Sequence, residues 1–169
     1  MSELAYIGIG TNIEPRMDRM RTALSALSTA GRVLKVSSIY ETAPYGVQAQ
    51  PAFLNAVAAI VTKYSPGELH DRLKALELEL GRQKRERWYE REIDFDILLY
   101  GNTSLNTPEL IIPHADLLNR SFVLIPLREI APNAMHPVVR KTVEALSVPF
   151  GNTSKEDLHK IDGSHMTNK

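Results

Sequence analysis

The chain has 169 residues, 43% of them hydrophobic and 24% charged, with 20 lysines and arginines balanced by 20 aspartates and glutamates. That length suits one domain able to bury a core without staples. A formal net charge of zero sets up no molecule-wide field for nucleic acid or a membrane, so any electrostatic specialisation is local. Cysteine is absent, which excludes a disulfide framework, a thiol nucleophile and a cysteine zinc site. The N-terminus has no basic n-region, and no apolar run is long enough to span a bilayer, so a cytoplasmic protein is expected.

In chain order, "LAYIGIG" (4–10) reads as a buried strand, and the "GIGTN" at its end lacks the third glycine of a dinucleotide-binding loop. Gly10 reads instead as a glycine-permitted turn beside the sheet end. Met17, Met20, Leu24 and Leu27 recur at helical spacing up to Gly31. Residues 32–42 form a second strand, 43–51 a loop with two prolines and a glycine, and 52–63 an apolar third strand. A helix over 65–81 carries Ser65 as N-cap, Pro66 at its first position and Glu68 to close a capping box. A charged connection over 82–91 leads into a fourth strand, "EIDFDILLYG". A small hairpin or ordered loop follows, then a stretch over 119–132 that reads as helical on both sides of an awkward Pro126.

The order β-α-β-β-α-β is the ferredoxin-like plan, an α+β fold whose antiparallel sheet carries helices on one face. Residues 1–150 are expected to form a single domain and 151–169 a polar, loosely ordered tail.

Two constellations could carry chemistry. Asp94 and Asp96 lie two apart in a strand and share a face, while Ile93, Phe95 and Ile97 point to the other. Hard oxygen ligands with water and substrate phosphates suit Mg²⁺. The plainer alternative is that both carboxylates pair with Arg87 and Arg91 on a solvated face. Just before them, Arg82, Lys84, Arg85, Arg87 and Arg91 outnumber Glu86 and Glu90, which suits a triphosphate and a mobile lid. Trp88 and Tyr89 also leave open a single-stranded nucleic-acid module. A regulatory small-molecule domain without chemistry is the third possibility.

Taken together, "YIGIGTN", "VSSIYETAPYG", "QPAFLNAV", "LELELGR", "RWYEREIDFDILLYGN", "IPHADLLNRSF" and "PLREIAP" resemble the 6-hydroxymethyl-7,8-dihydropterin pyrophosphokinase (HPPK) family over residues 4–135. The resemblance implies transfer of pyrophosphate from ATP to the pterin hydroxymethyl oxygen, with release of AMP, in folate biosynthesis. It implies that Asp94 and Asp96 ligate two Mg²⁺ ions, and that Arg82 and Arg91 clamp phosphates, Arg82 chiefly in the transition state. Lys74, Glu77, Lys84, Trp88, Arg91, Ile97, His114 and Arg120 fall where the family contacts ATP. Phe53 and Phe122 match the aromatics that sandwich the pterin; Asn55, Thr42 and Tyr45 match residues that read its edge. Partners are then two small molecules, with no nucleic acid and no membrane, on a monomer. Four residues depart from the pattern: Tyr89 for a small residue, Phe95 for an aliphatic, Lys84 for an arginine and Lys74 for a neutral amide.

Overall fold

A computed structural model of the chain describes residues 1–43, 49–86, 89–151 and 158–161. Five strands and two helices build its frame: β1 (Glu3–Thr11), α1 (Arg16–Ala26), β2 (Arg32–Val36), β3 (Ile39–Thr42), β4 (Phe53–Thr62), α2 (Pro66–Glu79) and β5 (Asp94–Tyr100). A small pair, β6 (Leu105–Asn106) and β7 (Ile111–Ile112), supplies the expected hairpin. Helices α3 (Ser121–Ile130) and α4 (Val143–Ser147) follow, then β8 (Leu158–Ile161). No helix among the described residues is long and apolar enough to cross a membrane.

The main sheet runs β5-β1-β4-β3-β8, with β2 beside β4 as well, and every pairing is antiparallel. β1 is apolar on the face of Ala5, Ile7 and Ile9, all buried. That face packs with Phe95 and Ile97 against Met20 and Ala23 of α1 and Leu69, Leu73 and Leu76 of α2. α2 starts where its capping box places it, with both reciprocal bonds between Ser65 and Glu68 formed.

Two expectations need correction. Helices cover both faces of the sheet: Leu124 and Leu127 of α3 and Val143 of α4 bury Val57, Leu98 and Leu99 on the far side. The helix expected on both sides of Pro126 is present as Ser121–Ile130 and runs through the proline, because Leu124, Pro126 and Leu127 are all buried and packing outweighs the hydrogen bond that proline cannot make. The single strand expected over 32–42 is two strands. At the break Ser37 Oγ accepts from the Val57 amide at 2.9 Å and donates to the Ser38 carbonyl at 2.8 Å, so a hydroxyl replaces a rung of the ladder. Within the stretch expected to be loosely ordered, β8 pairs with β3.

Candidate active site

The cleft opens on the α3 side of the sheet, at the end where β1, β4 and β5 meet. Gly10 pairs with Asn55 on one side and Asp94 on the other; two residues back, Gly8 sits between Val57 and Asp96. Paired residues share a face. The two glycines are therefore the bare floor between Asn55 and the two aspartates. Gly10 is thus a strand residue, not the turn expected from the sequence. A Cβ there would meet Asn55 Oδ1 at 3.2 Å, and one on Gly8 would meet Leu98 at 3.3 Å.

β5 sends its side chains as the alternation requires: Phe95 and Ile97 are buried, and Asp94 and Asp96 are half-buried on the cleft face. Asp94 Oδ1 accepts from Arg82 Nη1 at 2.8 Å and Oδ2 from Arg91 Nη1 at 2.6 Å. The structural ion-pair alternative thus holds for Asp94 and Arg91, with Arg82 as the second partner; Arg87 lies outside the described residues. Burial opposes the Asp94 charge, but Arg91, Lys74 and Arg82 outweigh it and hold the carboxyl below its ordinary range. Among the described residues Asp96 has no such arginine partner. Enclosure in the cleft, then the Asp94 carboxylate, push it up to about 7.

Behind Asp94, buried Glu77 organises the cations. Its Oε1 accepts from Lys74 Nζ at 2.9 Å and from the Phe95 amide at 2.8 Å, and its Oε2 from Arg82 at 2.5 Å. Burial disfavours the Arg82 charge, yet Asp94 and Glu77 raise its pKa. His114 is anchored by its amide on the Leu98 carbonyl at 3.0 Å, and its Nδ1 accepts from the Asp116 amide at 3.2 Å. The neutral ring therefore carries its proton on Nε2, which lies 3.8 Å from Asp96 Oδ1. Burial, then Arg120, hold its pKa below the ordinary value. Arg120 itself bonds Asp116 Oδ2 at 2.7 Å and stands 5.6 Å from the centre of the Phe122 ring.

Two hollows meet here and share a wall of Arg91, Asp94, Asp96, His114 and Arg120. One contains Thr42, Phe53, Asn55 and Phe122, and there Asn55 Nδ2 donates to Thr42 Oγ1 at 2.7 Å. The other runs past Lys74 and Ile97 toward Leu110 and Ile111. Most of the residues singled out in the sequence are thus brought together. Arg82 and Glu77 line neither hollow and act from behind Asp94, and Lys84 is exposed away from both. Tyr45 and Trp88 lie outside the described residues.

Sequence reasoning missed the floor glycines and the buried residues that hold the lead-in to β5. Thr11 Oγ1 donates to the Glu92 carbonyl at 2.6 Å, and the Glu92 carboxylate accepts from Arg85 Nη1 at 2.8 Å. Burial opposes the Glu92 charge, but its own backbone and Arg85 hold the carboxyl below its ordinary range. Glycine at alternate positions of an apolar strand was the available signal for the floor.

The donor set suits a hard divalent cation. Two adjacent carboxylates, one of them driven toward protonation by burial and then by the other's charge, would gain from a hard divalent ion such as Mg²⁺. Among the described residues no three His, Cys, Asp or Glu side chains converge for a metal.

Fold and cleft together define a small mixed α/β enzyme. The family profile described as 7,8-dihydro-6-hydroxymethylpterin-pyrophosphokinase (HPPK) matches residues 6–132. The 2-amino-4-hydroxy-6-hydroxymethyldihydropteridine pyrophosphokinase of Haemophilus influenzae is 44% identical over 135 residues, 79% of this chain and 84% of that protein. Its namesake from Pseudomonas aeruginosa is 39% identical over 167 residues, 97% of this chain and all of that one. A crystal structure of Plasmodium falciparum HPPK-DHPS with pteroate superposes with a TM-score of 0.76 over 92% of this chain, at 15% identity. The chain spans 46% of that solved chain, and the likeness is one of fold. The chain belongs to the HPPK family.

Proposed function

We propose that this chain transfers pyrophosphate from ATP to the hydroxymethyl oxygen of 6-hydroxymethyl-7,8-dihydropterin, releasing AMP, as a step of folate biosynthesis. The observation that carries this reading is the pair of hollows with one common wall. A flat heterocycle fits between Phe53 and Phe122 with Asn55 and Thr42 at its edge. The nucleotide fits the second hollow, and its phosphates then reach Arg91, His114 and Arg120 on the wall. The hydroxymethyl oxygen attacks the β-phosphorus and gives up its proton to solvent, the bond from that phosphorus to the α,β-bridging oxygen breaks, and AMP departs with that oxygen.

So loose a transition state is served by positioning and by preorganised charge. Arg91 and Arg120 present guanidinium groups to phosphate oxygens, and His114 offers its Nε2 proton. Arg82, held by Glu77 and Asp94, adds positive potential from behind the wall. Asp94 and Asp96 would hold two Mg²⁺ ions, which when bound neutralise phosphate charge.

The ferredoxin-like plan is supported by the strand order, in which β4 lies between β1 and the β2–β3 strand and β1 lies between β4 and β5. Both apolar layers share that sheet, which supports a single catalytic domain over 1–150.

The test is AMP release from ATP, with and without the pterin, in Mg²⁺ and again in EDTA. AMP that needs both pterin and Mg²⁺ is the expected result. ADP in place of AMP, or AMP without pterin, would reject the reaction.

A further inference from the structure

Asn12 is wholly buried and lines neither hollow. It stands just past the last rungs of the sheet, which pair Thr11 with Leu54 on one side and Gly10 with Asp94 on the other. Beyond those rungs its amide does the joining. Oδ1 accepts from the Arg91 amide at 2.8 Å, while the Asn12 backbone N–H donates to the Arg91 carbonyl at 3.1 Å. Nδ2 donates to Gln50 Oε1 at 2.9 Å and to the Pro51 carbonyl at 3.1 Å. The side-chain orientation is fixed by its partners: a flipped amide would set N–H against the Arg91 N–H and oxygen against the Pro51 carbonyl.

The two segments gripped in this way feed the two halves of the cleft. Pro51 lies two residues before Phe53, on the wall of the first hollow, and Arg91 bonds Asp94 on the shared wall. We propose that Asn12 is a positioning residue that fixes the ring-binding wall relative to the phosphate-binding arginine. The inference rests on the reading of the two hollows given above. Removing either half of the amide's bonds then disturbs one substrate and spares the other.

Asn12→Asp makes that division. It keeps an acceptor for the Arg91 N–H and removes both donors to Gln50 and Pro51. The expected result is a KM for the pterin raised about 10-fold, with the KM for ATP within about 2-fold of the parent. Asn12→Ala raises both and lowers kcat. Gln50→Ala reproduces the pterin effect in weaker form. Amide hydrogen exchange supplies a readout independent of turnover: Asn12→Asp should speed exchange over 52–54 by about 10-fold and leave the Arg91 amide protected, whereas Asn12→Ala exposes both.

A purely structural asparagine would make Asn12→Asp lower thermal stability and move both KM values together, and that outcome for Asn12→Asp overturns the proposal. Equal exchange in Asn12→Asp and the parent also overturns it. If the parent releases no AMP at all, the assigned reaction fails, yet the exchange pattern still decides whether Asn12 joins the two segments.

Discussion

Asp94 and Asp96 are chemically identical and stand two residues apart, yet their surroundings give them opposite fates. Asp94 is matched by Arg82 at 2.8 Å and Arg91 at 2.6 Å, whereas Asp96 faces a like charge. Their neutral amides should therefore behave differently. Asp94→Asn leaves two partly buried guanidinium groups short of a counter-charge and should cost about 2–4 kcal/mol of stability. Asp96→Asn removes a repulsion and should leave the melting temperature unchanged or slightly raised. On the proposed reaction both should lower kcat by about 10³-fold or more, because each removes a charged group from the proposed phosphate site. Thermal melts beside initial rates check both halves. Equal destabilisation by the two variants would show that the arginines do not single out Asp94.

Among elements, α3 is tied to the sheet through one carboxylate. Glu129 accepts from the Tyr40 hydroxyl at 2.6 Å, from Ser38 Oγ at 2.7 Å and from the Ser38 amide at 2.8 Å. Burial works against its charge, but these donors, Tyr40 first, hold its pKa below the ordinary carboxylate value. Burial and the same carboxylate raise that of Tyr40. A depressed carboxylate pKa stabilises the fold above the unfolded value, about 4.3, and that contribution is lost as pH falls through the folded value. Tyr40→Phe should thus cost about 1–2 kcal/mol at pH 7, and the gap to the parent should narrow once pH drops below about 4. Urea melts at pH 7, 5 and 3 measure it; a gap that does not change with pH would remove Glu129 as its source.

The same elements show what could be read in advance. α2 was legible because its start is local chemistry, a serine, a proline and a glutamate within four positions. β5 was legible because alternation put its aspartates on one side. The break between β2 and β3 was not, since the Ser37 hydroxyl replaces a rung by accepting from Val57, twenty residues away. The second helical layer was hidden for a related reason: α3 needed a face of the sheet that the β-α-β-β-α-β pattern leaves unassigned. Residues that would touch ligands carried charge or an aromatic ring and drew attention. Asn12 works through backbone groups of distant segments, and nothing adjacent in sequence betrays that.

On the scale of the whole molecule, formal neutrality conceals a local conflict. A nucleotide triphosphate entering the second hollow meets Arg91, Arg120 and Lys74, but also Asp94 and Asp96. Asp94 already engages Arg82 and Arg91. Without a divalent cation, phosphate must compete with Asp94 for those guanidinium groups while sitting against Asp96. With one, the carboxylates become part of the attraction. Ligand that binds only the folded state stabilises by about 2.7 kcal/mol at a hundredfold excess over Kd. For a chain of this size that is a rise of about 5–10 °C in Tm. A non-hydrolysable ATP analogue should therefore raise the Tm by that amount in Mg²⁺ and by less than about 2 °C in EDTA, with Asp96→Asn losing most of the Mg²⁺-dependent part. Equal shifts with and without the metal would mean that the arginines and Lys74 alone hold the phosphates. In that case the two aspartates would serve to park the guanidinium groups until substrate displaces them.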